Sequence, residues 1–417
     1  MSARYPVPVP KPPSPPQVAG IALACTVVAG VLTYVLLAII SRSLSAAEFD
    51  EFSVFWSLAL IVGFGAFLPA EQLLAARHGT LSRRTAAAAW RTSWVLAGVA
   101  VVIAGVAAAL PFPQNPVSLP VLVGLAAVAV VSPLQYVTRG LLLAFGRQVT
   151  FALALVVDAA LRVALAAGIA VAAIDQPARA ALFMVAVALA IAIAHVAVYP
   201  RGAPFGPEPV DGESFARPML TLLPQALSSQ MLANAAPLIV FALGPVGAAG
   251  AFQASFTLAR LPLFLITPVQ AMLVPPFTVM LREGQTVRLL AAIRTLVLGV
   301  TGLAAAGAVV GYLAGPWAVE LIFGPGRALA PLDLGILVAG VVCMAGLIVF
   351  TQAVIAAGRH RLALAAWSGA LGAAVVTVVA AGTFLPIELA CSIALLLSSL
   401  AALVGSALSL RTHLTRG

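Results

Sequence analysis

The residues of this 417-residue chain that could do chemistry are ionisable and amide side chains set inside long apolar runs. At bilayer depth an unpaired charge costs about 3 kcal/mol or more, so each is expected to be paired or used. Asp158 and Arg162 stand four residues apart, a spacing that lets a carboxylate neutralise a guanidinium across one helical turn. They read either as a structural ion pair or as an ion-coupling site. Arg260 sits near the middle of another run, with Gln253 two turns before it, and Gln230 and Asn234 one turn apart in the preceding run can face the same space. Glu71, Gln72, Gln135 and Arg139 form a further group. Glu71 and Gln72 follow Pro69, whose missing N–H should free a carbonyl and bend the helix. Arg139 either joins this group or snorkels to the membrane interface. Together these side chains predict a polar cavity with a basic lining, built for binding an anion rather than for making bonds.

Other chemistries lack their residues. Lys11 is the single lysine, so a phosphate-binding loop with its lysine is excluded. His78, His195, His360 and His413 have no metal-ligand spacing, and His195 reads as a hydrogen-bonded packing residue. Cys25, Cys343 and Cys391 lie within apolar runs and form no CxxC motif. No cofactor and no metal is expected. The formal net charge of +9 is scattered singly rather than clustered on one face, which argues against a nucleic-acid partner.

The elements that must hold these groups are membrane spans. The chain is 62% hydrophobic and 8% charged, against about 25% charged in soluble domains, and its mean hydropathy is +1.11. Apolar runs of about 20 residues separated by short charged stretches are the mark of spanning helices. Spans are expected near 18–41, 51–76, 88–110, 118–144, 149–173, 178–199, 218–243, 248–280, 289–314, 331–357, 361–384 and 386–410. The eighth is long and carries Pro262, Pro268, Pro275 and Pro276, so a kink or tilt is expected there. Residues 1–17 form a proline-rich cytoplasmic tail, extended or disordered, and the apolar segment behind it is too long for a cleaved signal.

Positive charge orients the set. With the N-terminus in the cytoplasm, only Arg42, Arg179 and Arg327 fall in outer segments, and Arg139, Arg162 and Arg260 fall within spans. All other basic residues are cytoplasmic. The outer segments are mostly acidic, with Glu48, Asp50, Glu51, Asp175, Glu320, Asp333 and Glu388. Both termini are therefore expected in the cytoplasm, with an even number of spans.

The chain also repeats itself. Leu143-Ala144-Phe145-Gly146-Arg147 returns as Ile355-Ala356-Ala357-Gly358-Arg359, and the turn Ser45–Phe52 with Phe55-Trp56-Ser57-Leu58 returns as Gly244–Phe252 with Ser255-Phe256-Thr257-Leu258. The spacings are 212 and about 200 residues. The fold expected is all-α and polytopic, with about twelve transmembrane helices in two six-helix bundles related by a parallel pseudo-two-fold repeat. The bundles are 18–199 and 217–410, joined by a cytoplasmic linker, 200–216, and followed by a short tail, 411–417. The anion cavity should lie between the bundles. Gly307, Gly311 and Gly315, four apart, offer a close-packing face for another helix of the chain.

The stretch Arg42-Ser43-Leu44-Ser45-Ala46-Ala47-Glu48-Phe49-Asp50-Glu51-Phe52-Ser53, continuing through Trp56-Ser57-Leu58 and Gly63-Phe64-Gly65 to Pro69-Ala70-Glu71-Gln72, resembles the start of polysaccharide-biosynthesis flippases of the multidrug/oligosaccharidyl-lipid/polysaccharide exporter superfamily. The segment Gly315-Pro316-Trp317 to Phe323-Gly324-Pro325-Gly326 is similar to the loop those proteins carry before their tenth helix. Asp50 departs from the pattern, which has glycine there. The resemblance implies alternating access between two bundles. It further implies movement of a polyprenyl-linked sugar or oligosaccharide from the inner to the outer leaflet of the bacterial plasma membrane, for cell-envelope polysaccharide synthesis. The arginines would hold the phosphate, and Gln253, Gln230, Asn234, Glu71, Gln72 and Gln135 would complete the substrate site. The expected partners are a lipid-linked glycan, membrane lipids and glycan-synthesis enzymes, and no enzymatic activity is implied.

Three other readings compete. A cation-coupled drug antiporter of the same superfamily needs an unpaired acid in the cavity. A polytopic glycosyltransferase or ligase would use Glu48, Asp50 and Glu51 as outer-loop acids. A non-transporting scaffold for envelope assembly needs neither.

Overall fold

The computed structural model describes residues 15–109, 117–207, 214–261, 276–277, 279–280, 283–356 and 358–415. Described helices of the first half are α1 (Pro15–Ser43), α2 (Ala46–Leu60), α3 (Leu68–Ala75), α4 (Arg83–Ala109), α5 (Leu119–Ala144), α6 (Gln148–Val171) and α7 (Gln176–Val198). The second half contributes α8 (Ala216–Asn234), α9 (Ala236–Leu243), α10 (Ala248–Ala259), α11 (Thr286–Phe323), α12 (Pro331–Ala356), α13 (His360–Ala381) and α14 (Ile387–Thr415). No strand occurs among the described residues. Ten helical segments are long and apolar enough to cross a membrane, and α8 with α9, bent by 54° at their junction, makes an eleventh. The first part of the expected eighth span is α10. Pro262, Pro268 and Pro275, and with them the expected kink, lie outside the described residues, as do the first fourteen residues of the proline-rich tail.

The second span, Ala46–Ala75, runs α2, a π-helical stretch Ile61–Phe67, then α3. Pro69 at the start of α3 supplies no N–H to the preceding turn, and the widened turn absorbs the loss, with Leu68 N–H donating to Gly63 O. The expected bend thus takes the form of a π segment.

Two expected boundaries move. The first outer loop shrinks to a two-residue break, Leu44–Ser45, so Glu48, Asp50 and Glu51 are helical. The ninth span does not end near residue 314: α11 runs 38 residues, through Pro316 to Phe323. At 1.5 Å per residue this is about 57 Å, well beyond a hydrocarbon core of about 30 Å. Val319 and Phe323 are completely buried, and that packing offsets the hydrogen bond Pro316 removes. Only Gly324–Ala330 remains as loop.

Loop contacts follow the alternation that charge predicts. At one end the α1–α2 break meets the α6–α7 loop, where Gln176 Nε2 and Arg179 Nη1 donate to Ser43 O at 3.3 Å each. At the other end Gly79 N–H donates to Ala144 O at 3.3 Å and Gly206 N–H to Leu81 O at 2.9 Å. By the charge pattern these two ends are the expected outer and cytoplasmic ends respectively.

The repeat is visible as duplicated backbone. Gly146 and Gly358 hold φ of 70° and 80°, left-handed values that a side chain strains. Arg147 and Arg359 follow at φ −85°, ψ 51° and φ −91°, ψ 53°. Arg147 N–H donates to Leu142 O and Arg359 N–H to Val354 O, so one cytoplasmic turn is built twice. Lipid tails are as apolar as leucine, so helices here associate through close packing. The Gly307/Gly311/Gly315 face meets α12 of the same chain: a Cβ on Gly311 would lie 2.9 Å from Val338 and 3.1 Å from Leu334 O. The largest core cluster joins both halves through Phe49, Phe52 and Phe55 on α2 and Phe252 and Phe256 on α10.

Candidate functional site

The expected site residues separate into two groups. In the first half, Gln135, Arg139, Asp158 and Arg162 line a cavity of about 230 Å³ bounded by α1, α2, α5, α6 and α7, with Thr26, Thr33 and Tyr136. This cavity lies inside one bundle, not between the two. Both arginines that give it a basic character are already compensated. Arg162 Nε and Nη2 donate to Asp158 at 2.9 and 2.5 Å. Arg139 Nε lies 3.0 Å from Glu71 Oε2, both side chains being about nine-tenths buried. Arg139 does not snorkel to water; its guanidinium lies over the rings of Tyr136 and Phe151, 5.4 and 5.3 Å from their centroids. Gly140 brings α5 against α3 beside this pair, where a Cβ would lie 3.0 Å from Glu71 Cα. The basic lining is therefore neutralised: the Asp158–Arg162 pair lies on the cavity wall, and Arg139 on that wall pairs with Glu71. Gln72 is exposed and does not join Glu71 in it.

The second group lies where the halves meet. Ser57 Oγ donates to Gln253 Oε1 at 3.3 Å, Gln253 Nε2 donates to Thr257 Oγ1 at 3.1 Å, and Tyr34 OH donates to Thr257 O at 2.7 Å. Gln230 and Asn234 do face one another, Asn234 Nδ2 donating to Gln230 Oε1 at 3.0 Å. Arg260 reaches Asn234 Oδ1 at 3.1 Å, packs 3.9 Å from the Phe256 ring centroid, and donates to Ala233 O. The last contact explains the residue. In an unbroken helix Ala233 O would accept from position 237, which is Pro237 and has no N–H. Arg260 satisfies that carbonyl at the bend between α8 and α9. The sequence reading gave Arg260 to a substrate; the geometry gives it a partner at the broken helix as well.

Sequence reasoning missed the outer end. Asp50, inside α2, accepts from Gly247 N–H at 2.5 Å and Gly250 N–H at 2.6 Å. A side chain there thus has a defined use where the resembling pattern has glycine. Arg42 donates to Leu321 O and Ile322 O at 2.5 and 2.9 Å. Arg327 donates to Ser41 O, Leu44 O and Ser45 O at 3.0, 2.7 and 3.3 Å and lies 4.7 Å from the Phe49 ring centroid. Arg179 adds Ala172 O and Ile174 O. All three basic residues that break the inside-positive pattern are caps for carbonyls at helix ends or in loops. Their position against the charge rule was the available signal. The outer end of the interface is closed by these contacts. Glu51 meanwhile accepts from Ser118 Oγ at 2.8 Å, so Asp50 and Glu51, two of the acids an enzymatic reading would use, have structural partners.

A third feature runs along the seam between α4 and α8. An apolar cleft of about 490 Å³ is lined by Val54, Leu58, Val99, Ile103, Leu223 and Leu227, among others. It contacts both halves, and Val99 and Ile103 on its wall are exposed.

This two-lobe, repeated all-helical architecture is that of transporters of the MOP superfamily. The chain is similar to an inward-facing multidrug resistance MATE family transporter of that superfamily, with a TM-score of 0.67 and 14% identity over 96% of this chain and 98% of the other. It is also similar to a MOP superfamily transporter from Pyrococcus furiosus, noted for reverse polarity of its binding pocket (0.65, 13%, 95% and 94%), and to a Vibrio cholerae MATE transporter (0.54, 14%, 96% and 96%). At these identities the likeness is one of fold. By sequence, no family profile and no curated protein matches the chain.

Proposed function

We propose that this chain is a multi-pass transporter of the bacterial plasma membrane that flips a polyprenyl-linked sugar or oligosaccharide from the inner to the outer leaflet, for cell-envelope polysaccharide synthesis. The moving bodies are residues 18–199 and 217–410, with 200–216 as their linker. The observation that carries the reading is the apolar cleft between α4 and α8, whose lining is almost free of polar atoms. A long hydrocarbon tail fits such a cleft, whereas a soluble solute gains nothing from it. The fold's likeness to solved transporters, and an outer end closed by Asp50, Arg42 and Arg327, support alternating access. An inside-negative potential favours outward movement of an anionic headgroup by about 2.3 kcal/mol per charge per 100 mV. The partners proposed are the lipid-linked glycan, surrounding lipids and glycan-synthesis enzymes.

A second reading is a cation-coupled drug antiporter. The multidrug assignment of a fold neighbour supports it, whereas Glu71 and Asp158, the buried carboxylates of the first bundle, are paired with Arg139 and Arg162 and leave it without the unpaired acid it needs. Depletion of the protein, with leaflet analysis of lipid-linked sugars, separates the two. Flipping predicts precursor trapped in the inner leaflet. Unchanged precursor orientation, together with drug sensitivity that rises on depletion, overturns it.

A further inference from the structure

The arginines expected to hold a phosphate, Arg139 and Arg260, are committed to Glu71 and to the α8–α9 bend. If a lipid tail occupies the seam cleft, its headgroup must find its partner elsewhere. Following the cleft toward the cytoplasmic end leads to a second groove of about 500 Å³, lined by Arg84, Thr85, Arg91, Thr92 and Ser214 and floored by Leu96 and Leu220. Leu96 lines both spaces. Along α4 the character changes from Arg84 and Arg91 through Thr92 and Val95 to Val99 and Ile103, at spacings that keep one face. The opposite wall repeats the gradient from Ser214, two residues before α8, through Leu220 to Leu223 and Leu227 on α8. The seam is thus one amphiphile-shaped channel, basic at its cytoplasmic mouth and apolar along its length.

Arg91 lies two turns into α4 and is exposed, with no hydrogen bond or ion pair among the described residues. Trp90 and Trp94 flank it, stacked with centroids 6.5 Å apart, and Tyr199 packs 6.2 Å from Trp90. Such aromatic side chains mark headgroup depth. An exposed guanidinium at that depth beside the Thr92 hydroxyl matches a phosphate, by charge and by fork geometry, while the buried Thr85 hydroxyl pairs with Ser82 Oγ at 3.0 Å. Basic pockets between helices on the cytoplasmic side are where anionic headgroups are bound.

We infer that Arg91, with Arg84 and Thr92, is the loading site for the phosphate of the transported long-chain lipid, with its tail lying in the α4–α8 cleft. The inference rests on the flippase reading and names its entry point. The test uses the full chain in phosphatidylcholine nanodiscs and a radiolabelled polyprenyl monophosphate. Arg91→Gln should weaken its binding tenfold or more, and Arg91→Lys by less than threefold. Polyprenol, which lacks the phosphate, should bind at least tenfold more weakly and be indifferent to Arg91→Gln. Val99→Trp, which fills the exposed cleft wall, should weaken both ligands. Unchanged binding by Arg91→Gln overturns the inference, and so does competition by phosphatidylglycerol as effective as unlabelled polyprenyl phosphate. Leaflet translocation measured on the same protein in liposomes keeps the two ideas apart. Arg91-dependent binding without translocation sinks the transport reading alone. Translocation with binding unaffected by Arg91→Gln sinks the loading site alone.

Discussion

Asp50 Oδ1 accepts the N–H of Gly250 at 2.6 Å, and the two residues stand 200 positions apart, the same interval that separates the two copies of the outer turn. Equivalent positions of the repeat therefore touch across the interface. The carboxylate also takes Gly247 N–H, and a Cβ on Gly250 would lie 2.5 Å from the Phe49 ring and 3.1 Å from Asp50 Oδ1. Closure of the outer end depends on an acid on one side and the absence of a side chain on the other.

Asp50→Asn keeps the shape but leaves one accepting oxygen for two N–H donors, so one charge-assisted hydrogen bond, worth about 1.5–3 kcal/mol, is lost and the other loses its charge. The outer end should open in a larger fraction of molecules, by tenfold or more. Spin labels placed at Ala47 and Val246 should then show a longer distance population. An unchanged distance distribution would remove Asp50 from the closure.

Arg260→Gln should leave Ala233 O without its donor and lower stability by about 1–3 kcal/mol, the cost of an unsatisfied buried polar group. Pro237→Ala restores an N–H four residues on and should recover most of the loss in the Arg260→Gln background, measured as melting temperature in detergent. A substrate-binding role alone predicts no such rescue.

Removing one member of the buried Glu71–Arg139 pair strands the other. Glu71→Ala or Arg139→Ala alone should each cost about 3–5 kcal/mol, while the double substitution should cost clearly less than their sum. A double-mutant cycle on unfolding in detergent measures the coupling; additive losses would show that the two side chains do not act as a pair.

Gly311→Val places a branched side chain where α11 crosses α12, against Val338 and Leu334 O. Overpacking there should lower stability by about 1–3 kcal/mol. Gly299→Val on the same helix, where a Cβ meets nothing within 4 Å, should be close to neutral in the same thermal assay.

The spans and the repeat were legible because hydropathy and charge act over twenty residues at a time. Gly146-Arg147 and Gly358-Arg359 were matched as words in the sequence and proved to be matched dihedrals. The Asp158–Arg162 pair was legible too, since i, i+4 spacing is local. Arg139 was not. Its partner Glu71 is 68 residues away, and nothing local tells a guanidinium lining a cavity from one already compensated. The Arg260 contact was hidden for a related reason: the carbonyl it serves is orphaned by Pro237, on a different helix. The continuation of α11 past Pro316 was hidden because proline's local penalty was outweighed by burial of Val319 and Phe323 against the rest of the fold.

The pairing of Asp50 with Gly250 bears on how such a chain can arise. Two identical copies of the first half, assembled as a symmetric dimer, would set one aspartate against another at the axis, with Phe49 facing the other copy's Asp50 where the fused chain has only the backbone of Gly250. Two carboxylates so close repel unless one takes up a proton. An ancestral homodimer could not have shut its outer mouth in this manner. Joining the halves in one chain, so that each could change its side of the axis independently, is what makes this closure available.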